Sequence, residues 1–101
     1  IVFSNLIRNA RDAMPNGGRL TIAAAAENDS IPVTVEDTGT GIPPEHLARV
    51  MEPLFTTKAR GIGLGLAIAR AIIEKHRGEI SVMSQTGAGT TFIVRLPAIR
   101  L

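Results

Sequence analysis

Apolar residues recur at helical spacing from the start of the chain. Val2, Phe3, Leu6, Ile7, Ala10, Ala13 and Met14 fall on one broad stripe, which predicts an amphipathic helix over residues 1–14, and Pro15-Asn16-Gly17-Gly18 ends it. The period then changes. Residues 19–27 and 31–38 read as strands, the second alternating clearly, with Asn28-Asp29-Ser30 as the polar turn of a hairpin. Gly39-Thr40-Gly41 interrupts the alternation, and Pro43-Pro44-Glu45 opens a short helix to about Met51, because proline fits the first helical turn. Residues 52–63 read as a loop. A second long helix spans 64–76, with Leu64, Ile68, Ala71, Ile72 and Lys75 at helical spacing and Gly78 where a left-handed C-terminal cap belongs. Strands over 79–84 and 90–96, joined by Thr86-Gly87-Ala88-Gly89, complete the pattern.

Strands and helices in separate runs, without repeats, low-complexity tracts or linkers, predict one domain over residues 1–101. The expected fold class is an α/β (α+β) two-layer sandwich, with helices packed on one face of a mixed, largely antiparallel sheet. Composition agrees, since 45% hydrophobic and 20% charged residues suit a single packed core. No apolar run approaches the roughly 18 residues that cross a bilayer and no signal segment opens the chain, so no membrane contact is expected and a cytoplasmic setting fits. The lack of Cys removes disulfides, thiolate nucleophiles and Cys-ligated metals together. A formal charge of +2 spread along the chain, and 3 Phe with no Trp or Tyr, argue against a nucleic-acid partner. Ile1 lies directly inside the helical pattern with no capping residue before it, as expected of an N-terminally truncated piece of a longer protein.

Three segments carry candidate chemistry. In the first helix Asn5, Asn9 and Asp12 form a polar row, with Asn9 at the edge of the apolar stripe. Such an amide is either a helix-boundary group bonding its surroundings or a Mg²⁺ ligand, because a hard cation takes carbonyl oxygens readily and needs few protein ligands beside phosphate and water. In the second strand, period two carries Asp37 onto the face of Ile31, Val33 and Val35. A carboxylate among apolar neighbours costs several kcal/mol, on the order of magnitude, unless paired or hydrogen-bonded. Gly39 and Gly41 leave room beyond it for a flat ligand and Ile42 offers an apolar wall, so an adenine amine fits; a turn capped by its own Asp is the other reading. The third segment, Gly61-Ile62-Gly63-Leu64-Gly65-Leu66, runs into the second long helix and offers free N–H groups to an anion, with Lys58 and Arg60 just upstream. It matches neither the P-loop nor the dinucleotide fingerprint.

Taken in order, these segments resemble the catalytic, ATP-binding domain of bacterial sensor histidine kinases, a member of the fold shared with DNA gyrase, Hsp90 and MutL. The N box looks like Asn5-Leu6-Ile7-Arg8-Asn9-Ala10, the first glycine box like Asp37-Thr38-Gly39-Thr40-Gly41-Ile42, and the F box like Glu52-Pro53-Leu54-Phe55-Thr56-Thr57-Lys58. The second glycine box resembles residues 61–66 and the last short motif Gly89-Thr90-Thr91-Phe92. The resemblance implies that ATP and Mg²⁺ are bound, with Asn9 on the metal, Asp37 accepting from the adenine amine and Thr90 reaching the base through water. It implies a nucleotide site that also includes Asp12, Ala13, Gly39, Gly41, Ile42, Thr57, Lys58, Arg60, Gly61, Ile62, Gly63, Leu64, Gly65 and Leu66. Asn5 and Lys58 are its catalytic candidates, and Leu54 and Phe55 would anchor a lid. That lid is short, with only Ala59 and Arg60 between Lys58 and the glycine loop, similar to the nitrogen-regulation and oxygen-sensing subgroup. Ala13 stands where many relatives carry an aromatic, so base packing falls to Ile42 and Leu66.

The implied partners are ATP and ADP, a separate dimerisation domain carrying the phosphoacceptor histidine, and indirectly a response regulator. His46 and His76 read as ordinary surface or capping residues rather than acceptors. An ATP-hydrolysing clamp of the gyrase or Hsp90 type would need Glu one turn before Asn9, and Asn5 cannot take a proton. A Ser/Thr kinase of the anti-sigma kind fits poorly with the F box and full glycine loop, and a non-catalytic nucleotide sensor stays open.

Overall fold

The computed structural model describes residues 2–47 and 63–98, with the backbone alone for 63–65. The elements in order are helix α1 (Val2–Asp12), strands β1 (Leu20–Ala24) and β2 (Ser30–Asp37), helices α2 (Pro44–Leu47) and α3 (Gly63–Lys75), and strands β3 (Glu79–Gln85) and β4 (Gly89–Pro97). The remainder of the short helix expected to reach Met51, the F box, Thr57, Lys58, Arg60, Gly61 and Ile62 lie outside the described residues.

The sheet has the order β1-β2-β4-β3, and each of its pairings is antiparallel. Registers align the apolar faces: Val35 sits opposite Phe92, and Val33 opposite Val94. Because side chains alternate along a strand, Val33, Val35 and Asp37 share one face with Phe92, Val94 and Leu96 of β4 and with Ile80 and Val82 of β3. On that face α1 and α3 pack against each other and against the sheet, giving the expected two layers. The core joins Leu6, Val35, Leu66, Ile73, Phe92 and Val94, flanked by Val2, Phe3 and Ile80. Strand β1 is an edge with every residue exposed, so it contributes its ladder to β2 rather than packing. The hairpin between them turns at Asn28, whose φ of 42° suits an asparagine, and is closed by the paired backbone bonds of Glu27 and Ser30.

Both long helices depart from the pattern reading. Helix α1 ends at Asp12, and its buried residues are Leu6 and Ala10, leaving Ile7 exposed at the stripe's margin. In α3 the buried line is Leu66, Ala69 and Ile73, whereas Ile68 is 44% exposed and Ala71 is exposed. The segment GLGLAIARAIIEK is apolar around much of its circumference, so spacing alone selects more than one face and packing against α1 and β3 decides between them.

The cap of α3 also differs. Arg77, not Gly78, adopts the left-handed conformation, with φ 63°. Gly78 N donates to Ile73 O at 2.9 Å and Arg77 N to Glu74 O at 3.0 Å, the paired bonds of a Schellman ending. Gly78 serves a different need, because a Cβ there would stand 2.6 Å from the Arg95 carbonyl of β4.

Candidate functional site

The end of α1, the 37–42 segment and the β3–β4 turn are tied together by backbone contacts. Ala13 N donates to Asn9 O at 3.0 Å to finish the helix, and Ala13 O in turn accepts Thr40 N at 3.0 Å. Thr40 O then accepts Gly87 N from the β3–β4 turn at 2.8 Å. Glycines make these approaches possible. A Cβ on Gly39 would collide with the Ala13 carbonyl, one on Gly41 with the Gln85 carbonyl, and one on Gly89 with the Asp37 carbonyl. The bareness of Gly39 and Gly41, read in the sequence as room for a ligand, is therefore taken up by the chain's own backbone. They hold the loop in place.

That loop presents Asp37. Period two puts it on the inner face of β2, where it is 5% exposed, and Thr90, also 5% exposed, is its register partner on β4. Residues directly opposite in such a ladder have Cβ atoms about 5 Å apart. Asp37 Oδ1 accepts the Gly39 amide at 2.8 Å. This bond offsets part of the desolvation of the carboxylate, and among the described residues no second hydrogen bond occupies Oδ2. An acceptor with spare capacity thus sits at the end of an otherwise apolar face.

Asn9 lies on the helix side of this cluster, half-buried, one helical turn before Ala13. Its Oδ1 is buried and has no hydrogen-bond partner among the described residues. Leaving such an oxygen unsatisfied costs about 1–3 kcal/mol, and a hard divalent cation is a group that would satisfy it. Asn5 is half-buried a turn earlier, and Asp12 is half-buried beside Arg11, with Nε and Oδ1 3.8 Å apart. Ile42 is half-buried, with its amide donating to Ser84 Oγ at 2.7 Å. Gly63, Leu64 and Gly65 form the opening turn of α3, so N–H groups with no partner within the helix stand at its start. Leu66 belongs to the core, 4% exposed among Leu6, Val35 and Phe92. Of the histidines, His76 at the end of α3 is exposed, its Nδ1 2.8 Å from Ile72 O, and His46 is half-buried in α2.

The family model described as "Histidine kinase-, DNA gyrase B-, and HSP90-like ATPase" matches residues 1–100. The chain belongs to this family. Within it, sporulation kinase A of Bacillus subtilis is 47% identical over 96 residues, covering 95% of the chain and 16% of that protein. Sporulation kinase E of the same organism is 43% identical over 97 residues, covering 95% of the chain and 13% of that protein. The chain therefore spans less than a fifth of the length of either relative. Among solved structures, the catalytic domain of histidine kinase ThkA superposes with a TM-score of 0.83 at 37% identity, covering 95% of the chain and 63% of that structure.

For this histidine kinase-, gyrase- and HSP90-like domain, one residue of the cluster escaped the reading of the sequence. Ser84 Oγ lies 2.9 Å from Thr90 Oγ1, donates to Gly89 O at 3.0 Å and accepts Ile42 N. The signal was present: Ser84 follows Ile80 and Val82 at period two, the same anomaly of a polar group on an apolar face that marks Asp37.

Proposed function

We propose that the chain is the ATP-binding catalytic domain of a sensor histidine kinase, holding Mg·ATP and presenting its γ-phosphate to a histidine on a separate dimerisation domain. The observation that carries this reading is the buried Asp37–Thr90 pair, with Asp37 Oδ1 committed to Gly39. In the proposal Asp37 accepts from the adenine amine and Thr90 takes a water-bridged contact, while Ile42 covers the base.

Asn9 Oδ1 would hold Mg²⁺, whose role when bound is to neutralise phosphate charge. The start of α3, with Gly61, Ile62, Thr57, Lys58 and Arg60, would surround the phosphates, in keeping with the affinity of a helix N-terminus for anions. The domain's contribution is then orientation and charge neutralisation: the bond from the γ-phosphorus to the bridging oxygen breaks as the bond to the acceptor imidazole nitrogen forms, and ADP leaves. No water needs activation. Asn5 in the place where a hydrolase needs a proton acceptor supports transfer over hydrolysis. A response regulator on the cytoplasmic side would receive the phosphoryl group. Among the described residues no helix is long and apolar enough to cross a membrane.

Calorimetry with Mg·ATP on the full chain, followed by incubation with a helical dimerisation domain bearing a histidine, tests the proposal. Binding followed by an acid-labile phosphoprotein supports it. Binding without transfer favours a nucleotide sensor, and no binding overturns both.

A further inference from the structure

Ser84 has three contacts and a single hydroxyl proton, and this sets the polarity of the pocket floor. The Ile42 amide can only donate, at 2.7 Å, and occupies one lone pair of Oγ. The Gly89 carbonyl can only accept, so its 3.0 Å contact is a hydrogen bond only if Ser84 gives it the proton. The remaining contact, 2.9 Å to Thr90 Oγ1, is then bonding only when Thr90 donates into the second lone pair of Ser84. This arrangement alone makes all three contacts hydrogen bonds. The opposite one would turn a serine lone pair against a carbonyl oxygen at 3.0 Å.

We infer that Ser84 is a specificity-determining positioning residue: by consuming the Thr90 proton, it presents Thr90 to the nucleotide as an acceptor only. The inference rests on the reading of the Asp37–Thr90 end as the adenine pocket. Register places Asp37, Thr90 and Ser84 in one row across β2, β4 and β3. With Thr90 locked in this sense, two neighbouring acceptors, Asp37 Oδ2 and Thr90 Oγ1, face the base edge. A 6-amino purine donates to such a floor directly at Asp37 and through water at Thr90, because a water held between these two acceptors has both hydrogens committed to them and offers the base only a lone pair. A 6-oxo purine turns an acceptor towards acceptors and is rejected. The bond from Ile42 to the same oxygen couples this polarity to the wall of the pocket, so one hydroxyl orients the floor and fixes the side.

The test compares Mg·ATP with Mg·ITP, whose bases differ by the amine or oxo group at C6, on the full chain and its Ser84→Ala and Ser84→Thr variants. Loss of the serine frees the Thr90 hydroxyl to turn and donate to the bridging water, which then has a hydrogen for a 6-oxo group. Ser84→Ala should weaken Mg·ATP by about two- to tenfold while leaving or improving Mg·ITP, so the ATP-to-ITP affinity ratio drops by several-fold. Ser84→Thr keeps the hydroxyl and should restore the ratio; it also supplies the readout, against wild type, if the alanine variant does not fold, a drop in its ratio then counting against the inference. Equal weakening of both nucleotides by Ser84→Ala, or an unchanged ratio, would overturn the inference by reducing Ser84 to a packing role. If Asp37→Asn also leaves Mg·ATP affinity untouched, the pocket itself is misplaced and the failure lies in the proposed function rather than in Ser84.

Discussion

Asp37→Asn separates the contribution of this carboxylate to nucleotide affinity from its contribution to the fold. The asparagine carbonyl can keep the bond that Oδ1 makes to the Gly39 amide at 2.8 Å, so the 37–42 loop retains its shape. The second position changes from an anionic acceptor to an N–H₂ donor, facing the proposed adenine amine. A hydrogen bond to a charged group contributes about 1.5–3 kcal/mol, which at about 1.4 kcal/mol per decade gives a roughly ten- to hundredfold loss of affinity. Stability should move the other way or not at all, because a carboxylate at 5% exposure is replaced by a neutral amide. Titration calorimetry with ATP and with the purine riboside triphosphate lacking the 6-amine measures the effect, and thermal unfolding controls for the fold. Wild type should favour ATP over the analogue, and the variant should hardly distinguish them. An intact ATP affinity, or a loss shared equally by the analogue, would refute the assignment of Asp37 to the base.

Asn9→Ala should remove the gain in nucleotide affinity that Mg²⁺ provides while leaving binding in EDTA unchanged; because it deletes a buried oxygen that has no partner among the described residues, stability should hold or rise, as thermal unfolding with and without Mg²⁺ would report. Arg77→Gly should raise stability by about 1 kcal/mol, equivalent to a melting temperature roughly 4–8 °C higher, since glycine adopts the φ of 63° without the Cβ conflict; nucleotide affinity should not change. Gly41→Ala and Gly87→Ala contrast strain with collision: the φ values are 77° and 82°, but only at Gly41 does the new Cβ meet backbone, the Gln85 carbonyl. Denaturant unfolding should therefore give about 1–2 kcal/mol for Gly87→Ala and clearly more for Gly41→Ala, and equal losses would contradict the packing role of Gly41.

The candidate site was largely legible because its residues break local patterns. Asp37 interrupts an apolar alternation, Asn9 sits at the margin of an apolar stripe, and glycines follow where a strand should continue. The inner face of β4 was legible for the same reason, since Thr90, Phe92 and Val94 alternate and are buried. Other features depend on approaches between segments distant in sequence. Whether Gly39 admits a ligand or the Ala13 backbone depends on where α1 ends relative to β2, and no local period encodes that distance. Ser84 carried a visible anomaly, but its significance needs the β3–β4 register that sets it beside Thr90.

The sequence by itself determined the order of helices and strands, the inward face of β2 and β4, and which residues are candidates for a nucleotide site, because these follow from periodicity and side-chain chemistry. Tertiary structure alone decided which side of α3 is buried, that Arg77 takes the left-handed cap so Gly78 can pass the Arg95 carbonyl, and how Ser84 orients Thr90. A helix apolar around much of its circumference has no preferred face until neighbours exclude water from one of them, and a hydroxyl has no fixed polarity until its partners claim its proton.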